Sequence, residues 1–468
     1  MNRDRRGLRG KTLPLSIFRS LVTAVRRRSR TLFKTLCTLS SKLSSRKDIL
    51  AIVLASVLVL EAAISGWNYY DIRYFIGWYT KYFKTGQILE IYADQDPTFK
   101  VAYPPLAILL FTTMYHIALT LTQNNVLIIF ITKLPLLLSF FLAYIVLIRK
   151  YNNTLGYLWL INPLTYSIIL SFQFDPVVAF LILVALYYLT EKHNYYLYAV
   201  FVTLAALIKH AVALFLVVPL IVLIKRKKYS ETVKYMAVVA LVAAPILLPF
   251  FTRSPGGFLE KVIWFHAKRP PQQLSVWAVP YYYVEYNLDM VPSIVSNIWL
   301  PVFLMYLVLV LIMALRENIY NEKSFMLKYT ILIISGFFIL SKVVNVTYYL
   351  WIIPIVLILL DTIKSKKELY RNLIKLYLFV FLWISSFSFF TYFVPLVTGD
   401  DIFIFEDWCQ IPSEPLHAQS HSSRFFKESS LIPVIFIRST PELMRIFNIL
   451  SKTHYYIMIL LIGIHTLF

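Results

Sequence analysis

The chain has 468 residues, of which 59% are hydrophobic, 16% aromatic and only 15% charged, and its mean hydropathy is +0.67. Soluble domains average about 45–50% apolar and about 25% charged residues, so this composition excludes a soluble enzyme, a disordered chain and a small secreted scaffold. It predicts an all-α polytopic membrane protein. The two cysteines, Cys37 and Cys409, are too few for a disulfide framework, a four-cysteine zinc site or an iron–sulfur cluster.

The net charge of +22 is placed in a way that indicates a membrane, and not a nucleic acid, as the partner. Residues 1–48 contain fourteen Lys and Arg, and further basic clusters lie in short loops beside apolar runs, at 149–150, 225–228, 316–323 and 364–367. Basic loops of this kind face the cytoplasm by the positive-inside rule. The pattern predicts a basic cytoplasmic N-terminal segment over residues 1–48, which is too basic and too long for a cleavable signal peptide.

Apolar runs bounded by polar residues predict the membrane crossings. They make up a membrane domain over residues 49–397 with about 11–13 helices, several of them shorter than the ~20 residues of a full span. Long polar outer loops are expected at 68–103 and 252–292, and residues 398–468 are predicted to form a mixed polar tail with a short terminal apolar segment. The predicted crossings are 49–67, 104–122, 126–148, 155–172, 177–189, 195–208, 212–224, 233–251, 298–315, 327–340, 349–360 and 373–392.

The two runs at 104–122 and 126–148 raise a question of topology. If both crossed the membrane, Arg149 and Lys150 would lie outside, against the charge rule. If the pair makes one net crossing, every later basic loop lies inside and the polar candidates described below share the opposite face. Partial insertion is allowed where protein covers the backbone. One net crossing is therefore the prediction.

The first outer loop contains a candidate general base. Asp71 follows the first crossing, where an ionised carboxylate is tolerated and can deprotonate an acceptor hydroxyl. Alternatively, Asp71 has a purely structural role, as a helix cap or as the ion-pair partner of Arg73. The loop ends at Tyr103, before two prolines that make a stiff entry to the next helix.

Two further polar pairs separate apolar runs. Gln173 and Asp175 lie between two of them, where an ionisable side chain is costly and becomes a functional candidate. Asp175 before a proline is also a good helix start. Lys209 and His210 separate the next two runs, where a cation suits a phosphate group, although a lysine that extends to the interface gives the same pattern.

The second outer loop and the segment after residue 340 contain the remaining candidate site residues. A loop that mixes cations, amides and indoles suits an anionic phosphate and a sugar ring; an ordinary interfacial loop is the alternative. A lysine that ends an apolar run is within reach of a lipid head group, or is an interface anchor. The residues concerned are His266, Arg269, Gln272, Gln273, Ser275, Lys342, Tyr348 and Trp351.

The order of these features resembles the GT-C superfamily of polytopic glycosyltransferases, which use a polyprenyl-phosphate or dolichyl-phosphate sugar as donor. The shared order is an Asp in a long first outer loop, Tyr-Pro-Pro-Leu at its end, Asn-Pro, Gln-x-Asp, a Lys-containing helix, an outer loop with Arg-Pro and Ser, and a final Lys…Tyr-Tyr-Leu-Trp…Pro stretch. That last stretch, Lys342 to Pro354, is similar to one in GPI mannosyltransferases of the PIG-M type and in prokaryotic polyprenyl-phosphate-mannose-dependent mannosyltransferases. The resemblance spans Trp67 to Leu360.

The resemblance implies a GT-C-like fold and transfer of a hexose, with mannose as the first candidate, to a glycan, lipid or protein acceptor. Transfer would invert the anomeric carbon on the non-cytoplasmic face of a prokaryotic plasma membrane or the endoplasmic reticulum. Asp71 matches the catalytic base. The donor phosphate is assigned to Arg269, Lys342, His266, Lys209 and His210. Substrate contacts are assigned to Arg73, Tyr103, Gln173, Asp175, Gln272, Gln273, Ser275, Tyr348 and Trp351.

Arg73 departs from the family pattern, which often has a second acid at this position. A second carboxylate would have to come from Asp94 or Asp96. No cofactor is expected to be required and no metal site is predicted, although a divalent cation is left open.

The alternative function is a secondary transporter or a flippase for a lipid-linked sugar. Transporters carry ionisable groups near mid-membrane, and Glu61 and Lys133 lie within apolar runs. Most candidate residues lie instead at the ends of predicted crossings, beneath long outer loops, and this placement favours the glycosyltransferase. A scaffold without chemistry is the least favoured interpretation.

Overall fold

The computed structural model describes residues 46–64, 69–96, 99–273, 275–278, 294 and 297–362. From Leu58 onward these residues belong to one compact unit. The basic N-terminal segment up to residue 45, the predicted crossing at 373–392 and the predicted tail at 398–468 lie outside the described residues.

The described chain is almost entirely helical. The α-helices are α1 (Arg46–Ile64), α2 (Tyr69–Gly77), α3 (Pro105–Leu121), α4 (Asn125–Lys150), α5 (Asn153–Leu160), α6 (Pro163–Leu170), α7 (Asp175–Thr190), α8 (Tyr195–Ala206), α9 (Val217–Lys225), α10 (Tyr229–Arg253), α11 (Pro255–Leu259), α12 (Phe265–Lys268), α13 (Trp299–Arg316), α14 (Glu322–Leu340) and α15 (Ile353–Thr362). Short 3₁₀ helices span Ile88–Ala93, His210–Leu216, Val276–Ala278 and Val346–Trp351, and π-helical turns span Trp78–Phe83 and Glu260–Trp264. Two short parallel strands, β1 (Gln272–Gln273) and β2 (Val343–Val344), pair with each other.

Helices α4, α10, α13 and α14 are long and apolar enough to cross a membrane. Helices α10 and α13 also expose large apolar side chains, such as Leu241 at 73% and Met305 at 61%, which water would penalise and lipid accommodates. The chain is therefore an integral membrane protein, as its composition predicts. Other apolar helices have 10–17 residues, fewer than the ~20 of a full span, and their crossing of the membrane stays a prediction.

Several predicted crossings are divided in the structure, and two of them show how. The run at 155–172 breaks into α5 and α6 at Asn162-Pro163, because proline has no N–H to continue the helix and the Asn162 side chain accepts a hydrogen bond from the Leu164 N–H, 3.1 Å away. The run at 212–224 begins as a 3₁₀ helix from His210 and becomes α-helical only at Val217.

The bundle has two ends, which we name after residues of α7. At the Asp175 end, where α7 begins, the Leu106 N–H at the start of α3 donates to the Leu207 carbonyl just after α8, at 3.2 Å. At the Glu191 end, just beyond α7, the Lys323 ammonium lies 2.6 Å from the Glu191 carboxylate.

Helix α4 runs from the Asp175 end to the Glu191 end. Near its start, Lys133 donates to the carbonyl of Leu170, and at its end Lys150 lies 5.3 Å from the ring of Tyr187 in the last turns of α7. Helix α3 instead packs along the first outer loop, where the Tyr79 hydroxyl is 3.1 Å from His116 Nδ1. Whether the pair α3 and α4 makes one net crossing of the membrane stays a prediction.

Candidate active site

Asp71 is held by an amide from a distant part of the chain. It lies in the first turn of α2, and the Gln173 Nε2 donates a hydrogen bond to its Oδ2. The Tyr103 hydroxyl donates to the Gln173 Oε1 at 3.3 Å. Three of the predicted residues, from three separate segments, therefore form one hydrogen-bonded chain.

A left-handed turn at the end of α6 delivers Gln173. The Gln173 N–H donates to the Ile168 carbonyl and the Phe172 N–H donates to the Ile169 carbonyl, which is the Schellman pattern of helix termination. The motif needs a positive φ, and Phe172 has φ 52° although it is not glycine. Its buried ring packs against the rings of Phe111 and Phe174, at centroid distances of 5.4 and 5.6 Å, and this packing holds the strained turn.

A buried ion pair lies beside this chain. The Lys209 ammonium is 3.6 Å from Asp175 Oδ2, and the Trp351 indole N–H donates to Asp175 Oδ1 at 2.8 Å. The Asp175 side chain is fully buried and that of Lys209 is 9% exposed. Asp175 was a candidate helix cap, but Phe174 is the N-cap of α7 and the Asp175 carboxylate binds the indole and the ammonium.

Two tyrosine rings flank the Lys209 ammonium. The centroid of Tyr103 is 4.8 Å from Lys209 Nζ and that of Tyr348 is 5.4 Å away, both within cation–π range. Tyr348 and Trp351 are three residues apart on the 3₁₀ helix Val346–Trp351, where such positions share one face, and their rings stack at 4.5 Å. Asn345 caps this helix through the Thr347 N–H.

The electrostatics of the site suit a proton acceptor. Burial raises the pKa of the Asp71 carboxyl, and it outweighs the opposing effects of the Gln173 hydrogen bond and of the charges on Lys209, Arg269 and Lys100. Burial also opposes the charged form of Lys209, but the Asp175 carboxylate holds its pKa above the ordinary value. The site therefore combines a carboxylate whose pKa is raised with a lysine whose charged form is stabilised by Asp175.

His210 and His266 lie together, with their ring centroids 4.8 Å apart. Burial, followed by the proximity of His210, lowers the pKa of His266 to about 3, so its ring is neutral. Its Nε2 is 3.0 Å from the Ala102 carbonyl, which can only accept, so Nε2 carries the proton and Nδ1 does not. A contact between His266 and the donor phosphate stays a prediction.

The second outer loop is attached to the segment that follows α14. The Lys342 ammonium donates to the Ala267 carbonyl at 2.5 Å, so this side chain reaches a protein carbonyl at the base of the loop. The backbones of Gln272 and Gln273 pair with Val343 and Val344. Buried Ser275 accepts from the Trp277 N–H, and the Trp277 indole donates to the Leu340 carbonyl at 2.7 Å. The predicted residues of this loop are thus brought to the Asp175 end.

Arg73 occupies the position where the family often has a second acid. Its guanidinium donates to the Tyr74 hydroxyl at 2.9 Å. Lys100 also lies over the Tyr74 ring, at 5.3 Å, and its charge acts on Asp71. Lys100 was not among the predicted site residues, because a single lysine in a mixed polar loop carries no distinguishing signal. Asp94 accepts from Lys81 and Tyr82, each at 2.6 Å, within the first outer loop.

The structure brings no group of three or more His, Cys, Asp or Glu together in the part of the chain that it describes. That transfer requires no cofactor stays a prediction, and a role for a divalent cation stays open.

The family profile described as glycosyltransferase family 87 matches residues 101–341, slightly more than half of the chain. The chain belongs to glycosyltransferase family 87. This membership confirms the resemblance to the GT-C superfamily. The region matched to family 87 contains the Tyr103, Gln173, Asp175, Lys209 and Arg269 positions, whereas Asp71 precedes it.

Two solved structures are also similar to this family 87 chain. They are crystal structures of ArnT from Cupriavidus metallidurans, in the apo state and bound to undecaprenyl phosphate, each 14% identical. The TM-scores are 0.43 and 0.44, with 69% and 70% of this chain covered. The chain spans 61% and 62% of the ArnT chains, less than two thirds of their length. No curated protein sequence matches the chain significantly.

Proposed function

We propose that this glycosyltransferase transfers a hexose, mannose in the first instance, from a polyprenyl-phosphate or dolichyl-phosphate carrier, with Asp71 as the general base. The observation that carries the proposal is the Asp71 carboxylate. It is held by Gln173, its pKa is raised by burial, and the charges of Lys209, Arg269 and Lys100 act on it. Removal of the acceptor proton requires a basic carboxylate, and departure of the phosphate requires nearby cations.

In the proposed reaction the acceptor oxygen attacks the anomeric carbon from the face opposite the phosphate, and the configuration inverts. The hydroxyl proton passes to the Asp71 carboxylate as the new carbon–oxygen bond forms. The bond from the anomeric carbon to the phosphate oxygen breaks with its electron pair, and the lipid phosphate leaves with its additional negative charge. Cations placed where that charge develops stabilise the transition state more than the bound donor.

The proposed roles of the other residues follow from their positions. Lys209 and Arg269 are proposed to contact the leaving phosphate, because both charges act on Asp71 and so lie near the reacting atoms. Tyr103 and Tyr348 flank Lys209 and offer ring faces to a sugar. His210 and Lys342 are proposed to bound the donor site at its outer edge. The acceptor, whether glycan, lipid or protein, would approach from the non-cytoplasmic face.

Glu61 and Lys133, on which the transporter alternative depends, have partners in the structure. The Tyr166 hydroxyl donates to Glu61, and Lys133 donates to the carbonyls of Ala62 and Leu170. Such contacts join neighbouring helices, which is a structural role. They favour the glycosyltransferase over the transporter.

Sugar transfer by purified protein in lipid nanodiscs tests the proposal. The protein is supplied with polyprenyl-phosphate mannose or glucose and a pool of glycan acceptors, and separately with nucleotide sugars. We expect transfer from a lipid donor only, with release of the lipid phosphate. Asp71→Asn should lower the rate by about 10²–10⁴-fold, the usual contribution of a general base.

Glu90→Gln is the matched control, because Glu90 is an acid of the same outer loop that pairs at the surface with Arg253. Its rate should stay near that of the wild type. Full activity in Asp71→Asn would disprove the role of Asp71 and direct the search to Asp94, Asp96 or Asp175. Absence of transfer from every lipid donor, with folded protein and a competent acceptor pool, would support the transporter instead.

A further inference from the structure

Lys133 is a fully buried lysine within the helix bundle. It lies in α4, and its ammonium donates to the Ala62 carbonyl at 2.9 Å and to the Leu170 carbonyl at 3.0 Å. A charged side chain in an apolar bundle is costly. Its cost is offset here by contacts with two separate helices.

Both carbonyls lie at helix C-termini. Ala62 is in the last turn of α1 and Leu170 is the last residue of α6, where carbonyls have no partner within the helix. The carbonyls of Ser167, Ile168 and Ile169 are taken by the N–H groups of the Schellman turn. Lys133 thus binds the remaining carbonyl of α6, and a cation near a helix C-terminus is favoured by the helix dipole.

A second contact joins the same two helices. Glu61, next to Ala62, accepts a hydrogen bond from the hydroxyl of Tyr166, four residues before Leu170. The Glu61 charge also attracts the Lys133 ammonium. The ends of α1 and α6 are therefore tied together twice, by groups that are both buried.

The chain segments that leave these two helices meet again at Asp71. Helix α1 leads into α2, which carries Asp71, and α6 leads through its left-handed turn to Gln173, whose amide binds the Asp71 carboxylate. We infer that Lys133 is a positioning residue, which fixes the ends of α1 and α6 so that Gln173 holds the Asp71 carboxylate in its reactive orientation. This inference rests on the proposed role of Asp71.

Loss of the Lys133 contacts should have a specific electrostatic effect. The groups that act on Asp71 are Gln173, through its hydrogen bond, and the charges of Lys209, Arg269 and Lys100, all of which lower its pKa against the raising effect of burial. If α6 moves away from α1, the Gln173 hydrogen bond weakens first. The pKa of Asp71 then rises, and the base stays protonated up to a higher pH.

The test is the pH profile of sugar transfer for Lys133→Met in nanodiscs, with the lipid donor that supports transfer by the wild type. We expect kcat to fall about tenfold with KM for the donor within about twofold, because misplacement of a base slows the chemical step. The acid limb of the profile should move upward by about half a pH unit. Gln173→Leu should move it in the same direction, and the double variant should shift no further than Gln173→Leu alone.

Lys225→Met is the matched control. Lys225 also donates to carbonyls at a helix C-terminus, those of Ala314 and Leu315 at 2.8 and 3.0 Å, but at the Glu191 end of the bundle. The Lys225→Met variant should leave the acid limb of the pH profile in place. Tyr166→Phe removes the second contact with a smaller change of shape, and should move the limb upward by less, so it tests the inference if Lys133→Met folds poorly.

Hydrogen–deuterium exchange gives a readout that does not depend on activity. Peptides that cover residues 69–77 and 171–177 should exchange faster in Lys133→Met and in Tyr166→Phe, but not in Lys225→Met. Unchanged exchange and an unmoved acid limb, with Asp71→Asn inactive, would overturn this inference and leave the proposed function standing. An active Asp71→Asn variant would instead disprove the role of Asp71, while faster exchange would still support the mechanical link.

Discussion

The two ends of the helix bundle use charge in opposite ways. At the Asp175 end the Lys209–Asp175 pair is almost completely buried, and its members also contact tyrosine and tryptophan rings. At the Glu191 end, the side chains of the Lys323–Glu191 pair are 26% and 34% exposed. Exposed pairs contribute little to stability, whereas a buried pair must overcome a large desolvation cost. Of these two ion pairs, the one with the larger desolvation cost therefore lies where the proposed chemistry needs charge.

The same contrast appears in the backbone. Both ends contain a Schellman turn with a non-glycine residue in the left-handed region, Phe172 with φ 52° and Lys227 with φ 56°. Phe172 is buried among aromatic rings and leads directly to Gln173, whereas Lys227 is exposed in a basic loop. One turn is held by packing around the candidate active site, and the other connects two helices at the surface.

The largest effect is expected from removing one partner of the buried pair. Lys209→Met leaves the Asp175 carboxylate buried without its cation, and should lower the free energy of unfolding in detergent micelles by about 4 kcal/mol. Thermal or chemical unfolding measures this. Lys209→Met combined with Asp175→Asn should recover part of the stability, because the uncompensated charge is gone. If the double variant is no more stable than Lys209→Met, the two charges are not coupled as the structure indicates.

The next largest effects on stability are expected from glycine substitutions at the two left-handed turns. The substitution should destabilise the protein at Phe172 and stabilise it at Lys227. Phe172→Gly removes about 1 kcal/mol of backbone strain but also a buried ring worth about 4 kcal/mol, so a net loss of about 3 kcal/mol is expected. The matched change Lys227→Gly loses no packing, and relief of strain should stabilise the protein by about 0.5 kcal/mol. A comparable loss in both variants would mean that the aromatic cluster does not hold the Phe172 turn.

Hydropathy and charge were sufficient to predict the general architecture. The membrane class and the short apolar helices follow from the length of the apolar runs, because that length reflects the cost of moving polar groups into lipid. The break at Asn162-Pro163 was present in the sequence as a helix-start signal, but the apolar run around it concealed the break.

The candidate site could be predicted as a set of residues but not as an arrangement. Asp71, Gln173 and Lys209 were identified because polar groups at the ends of apolar runs are costly. That Gln173 binds Asp71 depends on a left-handed Phe172, which has no sequence signature because glycine or asparagine is the usual residue there. The neutral state of His266 depends on its burial and on His210, and the role of Lys133 depends on carbonyls 71 and 37 residues away.

The smallest effect is expected at the exposed pair of the Glu191 end. Glu191→Gln removes a 2.6 Å contact with Lys323, yet water solvates both side chains in the unfolded and folded states, so the free energy of unfolding should fall by about 0.5 kcal/mol or less. The difference from the wild type should shrink further in 1 M salt, where the Debye length is about 3 Å. A loss of several kcal/mol that survives high salt would show that this pair is as strongly coupled to the fold as Lys209 and Asp175. Charge would then stabilise both ends of the bundle alike, and burial would no longer distinguish the candidate active site.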